Sequence, residues 1–287
     1  MLAIYKKELR SYFTSMIGYV FIAIFLVIIG IYFTIQNLLY GSANLEQTLS
    51  GVTFLAALLI PLLTMRLMAE ENKQKTDQLL YTSPVTASSI VLGKFFAVFT
   101  IYGIVVLGVG TFPLIMKLYG TVPMAAAYSG IMGFALLGAA YLSIGLFISS
   151  LTESQVVAAV ITFIVFIFTI LMDGIASMLP TSNKAAVVIF AALLIVLCLV
   201  IYLMVRNVTI AVGTGVILGA ALMAIYYLKP TLLDGSVINV FGWISVMNRY
   251  NSFAYGTLDV ASIVYYVSVT FLFIFLTTQM INKKRFS

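Results

Sequence analysis

Histidine is absent from the 287-residue chain, and charged residues make up only 8% of it. Without histidine the commonest metal ligand, the usual general base near neutral pH and the simplest pH switch are all excluded. Cysteine occurs once, as Cys198 within the apolar run LLIVLCLVIYL, which excludes an intramolecular disulfide. No G-x-x-x-x-G-K-[ST] phosphate loop occurs either, so the chain lacks that device for holding a nucleotide. What remains is 63% hydrophobic, with a mean hydropathy of +1.15. A soluble core of this length cannot absorb so much apolar surface, so the solvent is lipid. The formal charge of +6 invites a nucleic-acid reading, but its distribution argues for membrane orientation, and no nucleic acid is expected as a partner.

The sparse charges divide the chain into intervals near the ~20 residues that cross a bilayer as helix. The expected spans are 17–38, the interval between Glu46 and Arg66 (interrupted by Pro61), 94–117, 127–149, 154–172, 185–205, 208–228 and 260–281. The expected fold is therefore an all-α polytopic membrane protein of about eight transmembrane helices, six being the lower alternative. Residues 1–16 precede the first span. Leu2, Tyr5, Leu9, Tyr12, Phe13 and Met16 share one side of a helical wheel, with Lys7, Arg10, Ser11 and Thr14 opposite and Ile4 on the wrong side. That pattern predicts an amphipathic interface helix with its basic side toward headgroups. A plain basic flank of the first span is the alternative. The following apolar run is too long for the h-region of a cleaved signal peptide.

Orientation follows from the lysine and arginine distribution. With the N-terminus inside, Lys6, Lys7, Arg10, Arg66, Lys73, Lys75, Lys94, Arg206, Lys283, Lys284 and Arg285 collect on the inner side. Lys117, Lys184, Lys229 and Arg249 fall outside. Both termini and the stretch 66–94 are thus expected in the cytoplasm, in a multi-pass protein of the cell inner (plasma) membrane. Tyr32, Tyr40, Tyr119, Tyr128, Tyr226 and Tyr227 fit an outer interfacial belt. The domain division is an interface helix at 1–16 and one transmembrane permease-like domain at 17–287, with the cytoplasmic segment 66–94 inside it.

An ionisable group at mid-bilayer costs about 2.5–3.5 kcal/mol and marks ion or proton work. No expected span carries one near its middle, and Glu153 and Asp173 fall at span ends as solvated residues. Energy for transport is therefore expected from outside the chain, with an ion-coupled secondary carrier or a membrane scaffold as the alternatives. Glu70-Glu71 resembles the paired glutamates of one group of membrane proteases. No arginine follows at short spacing, however, and a solvated helix end is the simpler reading, with no catalysis.

The stretch 66–94, RLMAEENKQKTDQLLYTSPVTASSIVLGK, is the one long polar interruption, with seven charged residues. The second span is expected to continue as helix through LMAEENKQKTDQLL. Ser83 as N-cap and Pro84 at the first helical position then start the next helix. Leu79, Leu80, Tyr81 and Val85 lie exposed at the break, where a partner's cleft would bury them. A loop packed under its own bundle is the alternative.

This stretch resembles the first cytoplasmic loop of type-2 ABC exporter permeases: an acidic-basic helix, a Ser-Pro-Val element, and a Gly-Lys opening the next span. The opening IYKKELRSYFTSMIGYVF, the turn SSLTESQ and the close YGTLDVASIVYYVSVTFLFIFLTTQMINKKRF resemble the same family. The nearest likeness is to the bacterial subgroup that includes gliding-motility-type permeases. The middle departs from it, because spans at 185–205 and 208–228 make eight where the family usually has six. The resemblance implies a permease with no cofactor of its own, ATP and magnesium being held by a cytoplasmic ATP-binding subunit, and a second permease subunit beside it. It implies that Glu70, Glu71, Lys75, Leu79, Leu80, Pro84 and Val85, with Thr152 and Glu153 of the second inner turn, couple to that partner. Carboxylates Glu70 and Glu71 are expected to be exposed and singly of small effect. Ala211, Gly215 and Gly219 form a small-residue face suited to close helix approach. The outer segment 229–259, around Trp243, is expected either to dip into the leaflet as short amphipathic helices or to pack as a loop.

Overall fold

The computed structural model describes residues 1–76, 85–178, 187–191 and 235–286, with isolated positions between 194 and 226. Among the described residues every regular element is helical: α1 (Leu2–Thr14), α2 (Ile17–Phe33, continued by a π-helical turn Thr34–Leu39), α3 (Leu45–Thr64), α4 (Ala69–Gln74), α5 (Ala87–Val109), α6 (Phe112–Lys117), α7 (Met124–Leu151), α8 (Gln155–Met178), α9 (Ser236–Ile244), α10 (Tyr250–Ala254) and α11 (Val260–Phe286). Six helical stretches among them are long and apolar enough to cross a membrane: Ile17–Leu39, Leu45–Gln74, Ala87–Lys117, Met124–Leu151, Gln155–Met172 and Val260–Arg285. These match six of the expected spans. The two expected at 185–205 and 208–228 lie outside the described residues apart from 187–191 and isolated positions, as does Ala211 of the expected small-residue face.

The chain forms two compact units, Met1–Phe168 with Val246–Ser287, and Thr169–Ser245. In the second, Val237 of α9 is 1% exposed and packs with Val187, Ile189, Phe190, Tyr226 and Phe241. The first unit is organised around α7, which is mostly buried and touches α3, α4, α5, α10 and α11. Its glycines explain why. A Cβ on Gly138 would collide with the Tyr102 ring of α5, and one on Gly145 would fall 2.8 Å from Thr64 Cβ of α3. Small residues let membrane helices approach closely, where lipid supplies no hydrophobic drive between them. The helices around this hub turn apolar side chains outward: Val27 of α2, Ile164 of α8 and Phe271 of α11 are 60%, 59% and 70% exposed. In lipid that is the low-energy face.

The buried tyrosine hydroxyls of the first unit find local partners, as a lipid solvent demands. Tyr102 Oη donates to the Phe134 carbonyl at 2.8 Å, Tyr250 Oη to Gly130 O at 3.2 Å, and Tyr266 Oη to Val246 O at 2.8 Å. At the tight turn after α2, Asn37 Nδ2 donates to Ser42 O and Thr48 Oγ1 donates to Asn37 Oδ1, both at 2.8 Å, which ties the turn to α3. Of the outer segment, α9 and α10 are two short helices; Trp243 is 67% exposed, whereas Tyr250 and Phe253 are fully buried.

Two expectations for the helix ends are corrected. The second span does not run on as one helix: α3 ends at Thr64, turns through 65–68, and α4 starts anew at Ala69. Ser149 of α7 makes that restart possible. Its Oγ accepts the Met68 and Ala69 N–H groups, both at 3.1 Å, and lies 3.1 Å from Met65 O. Two orphan donors of a helix start are thus capped from another helix, a partner no local pattern reveals. Next, the cap of α5 is Thr86, whose Oγ1 accepts from Ser89 N at 3.3 Å. Ser83 and Pro84, the expected start, lie outside the described residues. Glu46, the charge that opens the second span's interval, points inward. It is 5% exposed in the first turn of α3, pressed against Gly130, and its Oε2 has no hydrogen-bond partner among the described residues.

Candidate functional site: an ion lock at the basic end

Both termini of the chain lie at one end of the bundle. There Lys284 Nζ of α11 donates to Ser150 O of α7 at 2.8 Å, and Arg285 donates to Val85 O ahead of α5 at 3.1 Å. Helix α1 lies across α5 at the same end. The buried stripe of α1 is Ile4, Glu8 and Tyr12, spaced by four, while Leu2 and Met16 are 72% and 70% exposed. The expected inward face is therefore rotated, and Ile4 belongs inside it. Gly93 is the reason: a Cβ there would meet Ile4 Cγ2 at 3.0 Å and Met1 O at 3.2 Å, so its lack of side chain gives α1 a seat on α5. The turn into α2 is sharp, with Met16 in the left-handed region at φ 60°, and Arg66 Nη1 reaches Ser15 Oγ there at 3.1 Å.

One residue beyond that seat, Lys94 is 1% exposed and uses all three donors. Its Nζ lies 2.8 Å from Glu8 Oε1 of α1, 2.9 Å from Glu71 Oε2 of α4 and 2.7 Å from the Leu67 carbonyl. The other oxygen of Glu71 holds Lys7 Nζ at 3.0 Å. Two lysines and two glutamates thus alternate in a chain that joins α1, α4 and α5. Burial pulls the Lys7 ammonium down, but Glu71 and Glu8 outweigh it and hold it above its ordinary value of 10.5. Lys7 therefore stays charged at neutral pH. Burial, reinforced by Glu8, pushes the Tyr12 hydroxyl well up, and it remains a donor to Leu63 O at 2.7 Å. Beside this chain Arg66 grips Glu70 through two nitrogens, at 2.6 and 3.1 Å.

The expected partner-facing residues separate on this frame. Glu70 and Glu71 are brought together here, but neither is freely solvated: their side chains are 28% and 15% exposed, and both are bound to cations. The expectation that each is an exposed charge of small effect is corrected for Glu71, because it holds a buried lysine. Thr152 joins the site through its carbonyl, which accepts from the buried Asn72 of α4 at 3.1 Å. Lys75 closes α4 in the left-handed region at φ 56° with its side chain exposed, and Glu153 is exposed as well. Val85 is half-buried under Arg285. Leu79, Leu80 and Pro84 lie outside the described residues.

Glu8, Lys94, Asn72 and Ser149 were not among the expected site residues. The signals were slight: one acid in an otherwise basic segment, in step with Ile4 and Tyr12, and one lysine seven residues inside an apolar helix. Among the described residues no group of three or more acidic or cysteine side chains is placed to hold a metal. What the arrangement does is join elements: Glu71 and Lys94 tie α4 to α1 and α5, and Ser149 and Asn72 tie it to the end of α7.

A family model described as ABC-2 family transporter protein matches residues 2–197 of the chain. The match is to the family as a whole and does not support the gliding-motility subgroup. No curated protein matches the chain.

Proposed function

The chain belongs to the ABC-2 transporter family, and from that premise we propose that it is the membrane-spanning subunit of an exporter driven by ATP hydrolysis on a separate, cytoplasmic ATP-binding subunit. In this reading the basic end faces the cytoplasm of a bacterial cell, in the inner membrane, and a second permease subunit completes the pathway. The ATP-binding subunit docks on the segment from Glu70 to Val85, with Lys75, Leu79, Leu80 and Pro84 at the contact and Thr152 and Glu153 beside it. Closure of the ATP-binding subunits pushes α4, and the ion lock passes the push to α1, α5 and α7. The chain holds no cofactor; ATP and magnesium belong to the partner.

The observation that carries this reading is Lys94. A lysine that is 1% exposed and bound to α1 and α4 at once makes the polar stretch mechanically continuous with a span. A solvated loop has no use for such a joint. Burying a side chain such as Leu79 or Leu80 in a partner's cleft contributes roughly 1.5–3 kcal/mol. The double change Leu79→Asp with Leu80→Asp is therefore expected to release the ATP-binding subunit on co-purification while the chain still inserts at wild-type levels. Retention of the ATP-binding subunit by that variant would mean that the segment is not the docking surface.

A further inference from the structure

The outward face of α1 is used by the ion lock only through Lys7. Lys6, Arg10, Ser11 and Thr14 line an open groove of about 680 Å³ together with Lys7, whose ammonium also reaches Glu71. Lys6 and Arg10 are exposed and have no ion-pair partner among the described residues. The chain passes from the end of α1 at Thr14 to the start of the first span at Ile17 through the sharp turn at Met16. The groove thus runs along α1 up to the start of the first span, where an interface helix lies at the level of lipid headgroups.

We propose that this groove binds the headgroup of an anionic phospholipid in the leaflet at the basic end of the bundle. Three cations converge on it, and the nearest acid, Glu71, lies on the far side of Lys7 and is already bound to two lysines. The hydroxyls of Ser11 and Thr14 add donors that suit phosphate oxygens. Basic residues at a membrane surface each favour an anionic leaflet by about 1 kcal/mol, or roughly fivefold in affinity. A zwitterionic headgroup brings its own ammonium into the groove and loses that gain. Because Lys7 touches both the groove and Glu71, the lipid sits one side chain away from the lock. Its charge then bears directly on how tightly α1 is held.

The test uses the purified full chain in a neutral detergent and needs neither a partner nor a transported substrate, so it stands or falls apart from the proposed function. Thermal unfolding is followed while phosphatidylglycerol, phosphatidylcholine or inorganic phosphate is titrated in. Phosphatidylglycerol is expected to stabilise the chain with saturation, and the other two are not. Lys6→Gln with Arg10→Gln is expected to raise the half-saturating lipid concentration roughly twentyfold, from two cations at the stated fivefold each. Lys6→Arg with Arg10→Lys is expected to leave it near wild type. Equal stabilisation by phosphatidylcholine or by inorganic phosphate would overturn the proposal. So would an unchanged midpoint in the double glutamine variant, or an equal shift from Lys73→Gln with Lys75→Gln, which would assign the effect to diffuse charge at that end.

Discussion

Replacing Lys94 with methionine keeps an unbranched side chain of nearly the same length and removes the ammonium that closes the lock. Glu71 retains Lys7 at 3.0 Å, but Glu8, with its side chain 11% exposed, loses its cation. Breaking a buried pair by removing one partner costs roughly 3–5 kcal/mol. The Leu67 carbonyl, bound by Lys94 at 2.7 Å, is left unpaired at about 1–3 kcal/mol more, offset by the burial of the methionine methyl. A net loss of about 4 kcal/mol is therefore expected for Lys94→Met. Adding Glu8→Gln removes the stranded charge, so about 2 kcal/mol should return. The assay is thermal unfolding of the four members of the cycle in detergent, alongside the rate of trypsin cleavage within α1, where Lys6, Lys7 and Arg10 become accessible once the helix lifts. If the single variants and the double variant prove additive, Glu8 and Lys94 do not act on each other and the lock is not a structural unit.

The other predictions are smaller in scope. Gly93→Leu should lift α1 off α5 and speed trypsin cleavage there without weakening α5 itself, since leucine suits a helix and the obstruction is Ile4. Unchanged cleavage would mean that α1 seats elsewhere. Glu46→Gln should leave the thermal midpoint unchanged or raise it, because a neutral amide relieves a buried carboxylate whose Oε2 has no partner among the described residues. A fall in the midpoint would reveal a cation held by Glu46. Gly145→Ala should cost about 1–3 kcal/mol by overpacking α7 against Thr64, read as a lowered midpoint.

The membrane fold was legible because charge is so sparse here that its intervals locate six of the spans, two of them with an end displaced by about two helical turns. Ile17–Leu39 and Val260–Arg285 begin where the sequence places them, and each ends within a few residues. The site was legible only in outline. Glu71 and Thr152 were singled out as residues facing a partner, and the structure brings both to the same end. The inward pull on Glu71 comes from Lys94, which stood in the sequence as a boundary charge. The helical wheel drew the inward face of α1 through Leu2, Tyr5, Leu9, Tyr12, Phe13 and Met16 without weighing Glu8, and so misplaced Ile4. The restart of the chain at Ala69 depends on Ser149, eighty residues away, which no window of local sequence contains. The pair Gly93-Lys94 carries both halves of the answer, since glycine clears the space for α1 and lysine supplies the charge that holds it.

The central claim is that the lock carries force from an ATP-binding subunit into the spans, and the measurement that bears on it most directly is the ATPase rate of that subunit in complex with the chain. The wild-type chain is expected to change the rate relative to the isolated subunit. Lys94→Met is expected to co-purify with the subunit at the wild-type ratio yet to return the rate toward the isolated value. An ATPase rate indifferent to the wild-type chain, or one that the variant changes as fully as the wild type does, would contradict the account.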